Sequence, residues 1–250
     1  MDADEKLLIS RTEDLFRLCD KYASARFSDF LDGAELATIY DNAVIPFDYN
    51  VMYFGGFPDA EKKIMGVFPQ WTDPDKNEFP IVCLKVIGGF TRKLTHRDYL
   101  GTVMALGIAP QKLGDIVVYD DFAYVLLHSD VAAYVADNLH KIGNQGVKVE
   151  LLDNLDVIKI ERKYKTIGAV CAAARLDAVV GAAANISRAQ SSALITAGKV
   201  KLNHRQTEKV AETVKEGDLL SIRGYGRFLV HSFDGETRKN RLHITLKQYI

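Results

Sequence analysis

The chain has 250 residues, of which 48% are hydrophobic, so it can bury substantial cores in one large domain or in two to three small ones. The N-terminus lacks the basic start of a signal peptide, and no apolar run approaches the roughly 18 residues that a membrane helix needs. The three cysteines lie far apart, unlike a secreted disulfide framework. We therefore expect a globular, cytoplasmic protein with reduced cysteines and no membrane partner.

The net charge of −1 conceals an asymmetry along the chain. Residues 1–80 carry 8 Lys+Arg against 16 Asp+Glu, residues 81–165 carry 11 against 10, and residues 166–250 carry 13 against 7. The basic C-terminal third indicates that the chain binds a polyanion. The acidic first part does not favour RNA and is expected to face a protein or the solvent.

Residues 1–75 are predicted to form an N-terminal domain of helices and strands. The first 45 residues predict helices, because Leu8, Leu15 and Cys19 recur at helical spacing. Strand-like runs follow at residues 51–54 and 64–68. The stretch 69–80 is rich in Pro, Asp and Asn, which predicts a loop or a domain junction.

Residues 76–165 are predicted to form a second domain with a regular order of elements. Strands are predicted at residues 81–87, 116–119, 122–127 and 147–151. Thr95 and Asp98 resemble a capping box that starts a helix ending near Leu106. Ser129 is expected to cap a second helix that runs to about Ile142 and is ended by Gly143. The order is that of a ferredoxin-like (RRM-like) βαββαβ domain, so the fold class is α+β. That fold hosts enzymes and metal carriers as well as RNA-binding modules, so it does not decide the function.

The predicted third domain, residues 170–250, begins with two short helices. Apolar residues at positions 176, 179, 180 and 183 follow the spacing of one helix face. Ser187 and Gln190 form a capping box for a second helix that ends at Gly198. The next stretch alternates with period two, which places Lys199, Lys201, Asn203 and Arg205 on one basic face. Asn203–His204 is predicted to form a tight turn, because both residue types tolerate positive φ.

Three segments carry a recognisable resemblance: RLDAVV (175–180), SRAQSSALITAGKVKLNH (187–204) and VKEGDLLSIRGYGRF (214–228). Together they resemble the ribosomal-protein S-four type RNA-binding domain, which binds structured RNA through a surface of two helices and a hairpin. The resemblance assigns RNA binding to the following residues: Arg175, Ser187, Arg188, Gln190, Lys199, Lys201, Asn203, Arg205, Arg223 and Arg227. His204 departs from the pattern, because many such domains have Gly there.

The segment THRDYLGTVMALGIAPQKLGDIVV (95–118), placed before such a domain, resembles the bacterial YlmH family. This resemblance covers nearly the whole chain, although residues 1–75 match only loosely. It implies RNA binding linked to the large ribosomal subunit and peptidyl-tRNA in translation quality control, together with an association with cell-division gene neighbourhoods. Structured RNA, ribosomal or transfer, is therefore the expected partner, and DNA is not.

Arginine suits this role because its planar guanidinium matches the oxygens of phosphate, and a helix N-terminus adds backbone N–H donors. A secondary RNA-binding group in the middle domain is also predicted, comprising Arg92, Lys93, Arg97 and Lys112. Tyr225 either stacks on a base or covers the hairpin. Because the C-terminal charges are expected on one face, a fragment 170–250 should retain RNA binding and a fragment 1–165 should retain little. Two linked sites should make the full chain bind more tightly than either.

The sequence gives little support for a catalytic function. Arg175-Leu176-Asp177 is similar to a tripeptide of pseudouridine synthases, but no matching catalytic domain accompanies it. His96-Arg97-Asp98 is similar to the start of a kinase catalytic loop, which needs Asn where this chain has Val103. No phosphate-binding or metal-ligand motif occurs, so no cofactor, metal or catalytic residue is expected. The alternatives are an RNA-modifying enzyme, either a pseudouridine synthase or a methyltransferase, and a protein-interaction adaptor.

Overall fold

A computed structural model of the chain describes residues 2–88, 93–152, 154–158, 164–236 and 241–249. Its contacts divide the chain into two compact units, residues 1–160 and residues 161–250. The predicted segment 1–75 and most of 76–165 lie in the first unit, and 170–250 lies in the second. Within the described ranges, no helix is long and apolar enough to cross a membrane.

The N-terminal part of the first unit is a three-stranded sheet with two helices. Its elements are α1 (Ala3–Tyr22), β1 (Arg26–Leu31), α2 (Gly33–Asn42), β2 (Tyr49–Phe54) and β3 (Lys63–Pro69), with strand order β1-β3-β2. The strands β2 and β3 confirm the strand-like runs predicted at residues 51–54 and 64–68. The expectation that the first 45 residues are all helical was wrong at β1. This strand pairs antiparallel with β3, for example Arg26 with Val67, so its conformation is fixed by a partner far along the chain.

The middle part of the first unit has the split βαβ order. Its elements are β4 (Ile81–Ile87), α3 (His96–Ala105), β5 (Leu113–Val118), β6 (Phe122–His128), α4 (Ser129–Asn138), β7 (Lys141–Ile142), β8 (Gln145–Gly146) and β9 (Lys148–Leu152). The main sheet is antiparallel, with strand order β5-β6-β4-β9, and β7 and β8 form a separate hairpin.

Two details of α4 correct the sequence prediction. Its N-cap is His128 rather than Ser129, with the ring Nδ1 accepting from the Asp130 backbone N–H at 3.3 Å. The helix ends at Asn138 rather than near Ile142, because Leu139 leaves helical geometry at φ −88° and ψ 82°. Gly143, the predicted stop signal, instead has φ +57° in the β7–β8 hairpin.

The two faces of the middle sheet pack against different layers. Leu84, Val86, Val125 and Leu127 face the core that contains α3 and α4 residues. On the opposite face, Leu126 is buried with Phe30 and Phe79, so the N-terminal part covers one end of that face. The approach is close, since a Cβ on Gly114 would lie 2.7 Å from the Phe30 ring.

The C-terminal unit is a six-stranded antiparallel sheet with two helices on one face. Its elements are β10 (Tyr164–Cys171), α5 (Leu176–Ala184), α6 (Arg188–Thr196), β11 (Val200–Leu202), β12 (Arg205–Gln206), β13 (Leu219–Ile222), β14 (Gly226–Glu236) and β15 (Leu242–Tyr249). The strand order is β10-β15-β14-β13-β11-β12. The two predicted helices and the alternating stretch around Lys201 are confirmed. The strands β14 and β15 enlarge the sheet beyond what the sequence predicts.

The core of this unit determines which side chains remain available for a ligand. Leu176, Val180 and Ile195 of the helices pack against alternate residues of the sheet, including Val200, Leu220, Ile222, Phe228 and Leu246. Because successive side chains of a strand point to opposite faces, the residues between these apolar positions face away from the helices.

Candidate nucleic-acid interface

Four of the predicted basic residues share the face of the C-terminal sheet that is turned away from its helices. Lys201 is paired with Ser221, and Ser221 is paired with Arg227, so all three lie on one side. Lys199 and Arg223 flank β11 and β13, and the Arg223 backbone N–H donates to the Lys199 carbonyl at 2.9 Å, so the register of the two strands continues to this pair beside Lys201. We call Lys199, Lys201, Arg223 and Arg227 the outer basic face.

Aromatic side chains that the sequence analysis did not single out continue this face. The guanidinium carbon of Arg227 lies 5.0 Å from the centroid of the Tyr249 ring, and the Tyr249 and Tyr164 rings are 5.0 Å apart. Lys247 Nζ is 6.0 Å from the Tyr164 ring centroid. The signal was present in residues 242–249, where Leu, Ile and Leu at positions 242, 244 and 246 alternate with polar residues.

The tight turn predicted between β11 and β12 is confirmed. Asn203 has φ +48° and His204 has φ +69°, the left-handed geometry that such turns require. The Asn203 side chain serves the fold, since its amide donates to Asp218 Oδ1 at 2.8 Å and its oxygen accepts from the Leu219 backbone N–H at 2.9 Å.

Arg205 does not share the face of Lys201, so that part of the prediction was wrong. The turn reverses the chain after Leu202, and Arg205 is paired with Leu202 across the hairpin. Directly paired residues lie on the same side of a sheet, which places Arg205 on the side of Leu202. Arg205 is exposed, and its role in RNA binding stays a prediction.

A buried carboxylate joins two of the predicted arginines in the helix layer. Arg175 donates from Nε and Nη2 to the two Asp177 oxygens, each at 3.1 Å, and Arg188 Nε donates to Asp177 Oδ2 at 2.7 Å. The Asp177 side chain is 2% exposed, whereas those of Arg175 and Arg188 are 41% and 58% exposed. Burial opposes ionisation, but the hydrogen bonds and charges of the two arginines hold the pKa of Asp177 below its ordinary value.

Ser187 and Gln190 form the predicted capping box at the start of α6. The Gln190 side-chain oxygen accepts from the Ser187 backbone N–H and from Ser187 Oγ, each at 2.9 Å, and the Gln190 N–H donates to Ser187 Oγ at 3.3 Å. Their side chains therefore fix the helix start that carries Arg188. The positive end of the helix dipole adds to the potential at that arginine.

The predicted residues thus form two groups rather than one face. Arg175 and Arg188, joined by Asp177, lie in the helix layer, and we call them the arginine pair. The outer basic face lies on the side of the sheet that the helices do not cover. The expectation of a single face was wrong because period-two alternation shows which strand residues share a side, but not where the helices pack.

An open groove of about 860 Å³ lies beside the arginine pair, between β10 and α5. Small residues form much of its lining, including Gly168, Ala178 and Gly181, and Arg188 and Arg241 contribute charged groups. Small side chains permit close approach of a ligand backbone, so the groove adds room for phosphates next to the arginines.

The secondary group predicted in the middle domain is only partly available. Lys112 donates to Asp130 at 2.9 Å and lies 2.7 Å from Asp29, which ties β1 to the start of α4. Partial burial opposes its charged form, but these hydrogen bonds raise the pKa of Lys112 above its ordinary value. Lys93 pairs with Asp120 at 3.0 Å on the surface, and Arg97 is exposed in the first turn of α3. Arg92 lies outside the described residues.

The side chains considered for catalysis have structural contacts. Asp98 accepts from the backbone N–H and the hydroxyl of Thr95, each at 2.8 Å, which supports the start of α3. In the part of the chain that the structure describes, no group of three or more His, Cys, Asp and Glu residues could hold a metal ion.

Two family models match the chain at the domains that carry these features. One, described as "Putative RNA-binding domain in YlmH", matches residues 74–156. The other, described as "S4 domain", matches residues 174–220, which include α5, α6, β11 and β12 and end within β13. The fold and these matches define an RNA-binding protein with a C-terminal S-four type domain.

Similarity along the whole chain then identifies the family. The chain is 30% identical over 253 residues to "Ribosome-associated protein quality control protein P2" of Bacillus subtilis (strain 168), covering 98% of this chain and 95% of that protein. The chain belongs to the YlmH family, as its sequence motifs predicted. The solved structure of "Cell division protein ylmH from Streptococcus pneumoniae" matches with a TM-score of 0.48 and 17% identity, covering 64% of this chain and 97% of that chain.

Proposed function

We propose that this protein is a non-enzymatic, cytoplasmic RNA-binding factor that recognises structured ribosomal or transfer RNA and acts on the ribosome in translation quality control. The observation that carries the proposal is the convergence of Lys199, Lys201, Arg223 and Arg227 on one open sheet face. The ribosomal setting rests on the printed name of the Bacillus subtilis relative. The large subunit with peptidyl-tRNA is the specific target that we propose.

The geometry suits phosphate recognition in two places. The outer basic face offers a row of cations across neighbouring strands, which can follow closely spaced phosphates and release their counterions. In the arginine pair, the contact of Arg188 to Asp177 uses Nε, so the terminal nitrogens can serve as donors to phosphate oxygens. Because the two groups lie in different layers, they favour a folded RNA that presents phosphates in more than one direction.

The test removes one cation from each group in the full-length protein. Arg188→Ala with Lys201→Ala should weaken binding to ribosomal RNA or tRNA by about 100-fold or more at low salt, since charged hydrogen bonds contribute about 1.5–3 kcal/mol each. It should also reduce the slope of log affinity against log salt by about one to two. A filter-binding titration at several salt concentrations measures both quantities.

A control with the same change in charge is available on α1. Lys6→Ala with Arg11→Ala removes two exposed cations from the acidic N-terminal part. It should leave affinity and slope close to those of the unchanged protein. Equal affinity and slope for the Arg188→Ala, Lys201→Ala protein and the unchanged protein would contradict the proposed interface.

The absence of catalysis is a separate part of the proposal. The RNA-modifying alternative would need a reactive group, and Asp177, in the tripeptide similar to that of pseudouridine synthases, is bound by two guanidinium groups. Such a carboxylate is a poor nucleophile, because both of its oxygens already accept charged hydrogen bonds. We expect mass spectrometry of RNA incubated with the pure protein, with and without S-adenosylmethionine, to show no new modification. A modified nucleotide would establish an enzyme.

A further inference from the structure

The middle sheet presents three aromatic side chains in a row on the face turned away from α3 and α4. Across the antiparallel register, Phe122 is paired with Ile87 and Tyr124 with Lys85. Tyr119 lies beside Phe122 at the end of the β5–β6 hairpin, where its backbone N–H donates to the Phe122 carbonyl at 2.8 Å. We call Tyr119, Phe122 and Tyr124 the aromatic row.

The rings contact one another directly. The Tyr119 and Phe122 rings are stacked, with centroids 4.7 Å apart and planes 21° apart. The Tyr124 ring is edge-on to both, with centroid distances of 5.1 Å to Phe122 and 5.9 Å to Tyr119. Lys85 Nζ lies 4.8 Å from the centroid of the Phe122 ring. This arrangement combines π-faces with a cation.

Among the described residues, the row lies at the end of its sheet face that the N-terminal part does not cover. The helices pack on the other side against Ala123 and Val125, which flank Tyr124 in sequence. The N-terminal part covers the opposite end of the face, where Leu126 is fully buried with Phe30. All three rings of the row are half-buried rather than core residues, so part of each remains available to a ligand.

Among the described residues near the row, Lys148 and Lys93 are paired with carboxylates. Lys148 pairs with Glu150 at 2.8 Å, and Lys93 pairs with Asp120 at 3.0 Å. Phosphate attraction at this surface is therefore weak. Stacking does not need a net positive potential, because every nucleobase has a π-face.

We propose that the aromatic row is a second RNA site, which stacks the bases of an unpaired RNA segment and uses Lys85 as a local cation. The inference rests on the proposed function, because it assumes that the partner is RNA. It adds the class of ligand: an unpaired strand rather than a folded one, bound with a shallow dependence on salt.

The experiment uses the full chain carrying Arg188→Ala and Lys201→Ala, so that binding to the C-terminal domain is reduced. The probe is a short, fluorescently labelled oligoadenylate without secondary structure, measured by anisotropy. Adding Phe122→Leu should weaken binding about five- to tenfold, since one stacked base contributes on the order of 1–3 kcal/mol. Phe122→Trp should restore it, because an aromatic ring returns.

A matched control replaces an aromatic residue on the side of the domain that carries the helices. Tyr134 lies on α4 with its side chain exposed, and its hydroxyl donates to the Leu106 carbonyl at 3.1 Å. Tyr134→Leu should leave oligoadenylate affinity unchanged. A thermal melt of each variant shows whether it is folded, and the Phe122→Trp protein carries the test if the leucine variant unfolds.

Three outcomes would overturn the inference. The row only packs the sheet if Phe122→Leu lowers the melting temperature but leaves oligoadenylate affinity unchanged in the folded protein. The row contacts something other than an unpaired strand if the variant loses binding to purified ribosomes while its oligoadenylate affinity stays the same. The tryptophan variant failing to bind would also exclude stacking. By contrast, if the protein without substitutions binds no folded RNA, the proposed function itself is refuted.

Discussion

The middle and C-terminal sheets have the same layer arrangement but opposite surface chemistry. Each is antiparallel, has two helices on one face and leaves part of the other face open. On the middle sheet that part holds the aromatic row and Lys85, and the nearby Lys93 and Lys148 are paired to carboxylates. On the C-terminal sheet it holds the outer basic face and Lys247, with Tyr164 and Tyr249 at the β10–β15 edge. One architecture therefore supports a stacking surface and a phosphate surface in a single chain.

The difference follows from which residues alternate with the core positions. In β6, the residues that alternate with the core positions Ala123 and Val125 are the aromatic residues Phe122 and Tyr124. In the C-terminal sheet, the corresponding outward residues of β11 and β14 are Lys201 and Arg227. Because strands have a period of two, the core sequence can remain apolar while the outward sequence sets the ligand.

The largest expected difference is in RNA affinity, when the two units are separated into fragments 1–160 and 161–250. Residues 1–160 carry 16 Lys+Arg and 25 Asp+Glu, whereas residues 161–250 carry 16 and 8. We expect fragment 161–250 to retain most of the affinity for folded ribosomal RNA. Fragment 1–160 should bind it at least about tenfold more weakly, because its net charge repels phosphate. Gel shifts at fixed salt measure the two fragments against the full chain.

The cut at residue 161 matters for that experiment. β10 pairs with β15 from Tyr164 to Cys171, so a fragment that begins at residue 170 would lose most of an edge strand. The full chain should bind a large RNA more tightly than either fragment, since linked sites raise the effective concentration of the second. Strong binding of folded RNA by fragment 1–160 alone would reverse the assignment of the two surfaces.

The next largest effect, on stability and RNA affinity, is expected from replacing Asp177, whose carboxylate binds both residues of the arginine pair. Asp177→Asn keeps the shape of the side chain but removes its charge, so it should lower the free energy of unfolding by about 2 kcal/mol. It should also weaken binding to folded RNA several-fold, because the arginines lose their fixed positions. Glu208→Gln, an exposed change of the same kind in the same unit, should alter neither quantity. Unchanged stability and affinity would show that Asp177 does not position the arginines.

The stability contribution of Asp177 should depend on pH in a defined direction. Its pKa is held below the ordinary value of 3.8, so the unfolded state binds more protons in acid than the folded state does. The contribution is complete above that value and is lost as the pH falls through the folded pKa. Chemical denaturation should therefore show that the stabilities of the unchanged protein and of the Asp177→Asn variant converge below about pH 3.8.

The sequence predicts the elements with local signals well and those with distant partners poorly. The capping boxes at Thr95 and Ser187 mark helices that the structure contains. β1 was missed because its conformation depends on pairing with β3. The end of α4 was misplaced because Gly143 is a turn signal as well as a helix stop.

The site shows the same division between local and distant information. Motif resemblance identified Arg188 and Lys201, but it could not separate them into two layers, since that depends on how the helices pack on the sheet. The aromatic row lies within the single segment 119–124, and only its neighbour Lys85 comes from another strand. It was missed because the sequence analysis used that segment to place a hairpin and did not follow the side chains that point away from the core. Asp177 was considered only as a nucleophile, because its partner Arg188 lies beyond the end of α5.

The smallest effect tests the turns that connect the strands of the two sheets. In the C-terminal sheet, Asn203 and His204 both have positive φ, whereas neither Asp120 nor Asp121 in the β5–β6 turn does. A non-glycine residue in the left-handed region costs about 1–2 kcal/mol. Glycine removes that cost but adds roughly 0.5–1 kcal/mol of chain entropy to the unfolded state.

His204→Gly should therefore stabilise the protein by about 0.5 kcal/mol, the difference between these two quantities. Asp121→Gly in the middle sheet should be destabilising by about the same amount, because only the entropy cost applies there. Denaturant melts of both variants measure the two signs. RNA affinity should not change in the first variant, since the turn lies beyond the outer basic face and its backbone path is preserved. Destabilisation by His204→Gly would mean that the histidine side chain contributes more than the strain of its backbone costs.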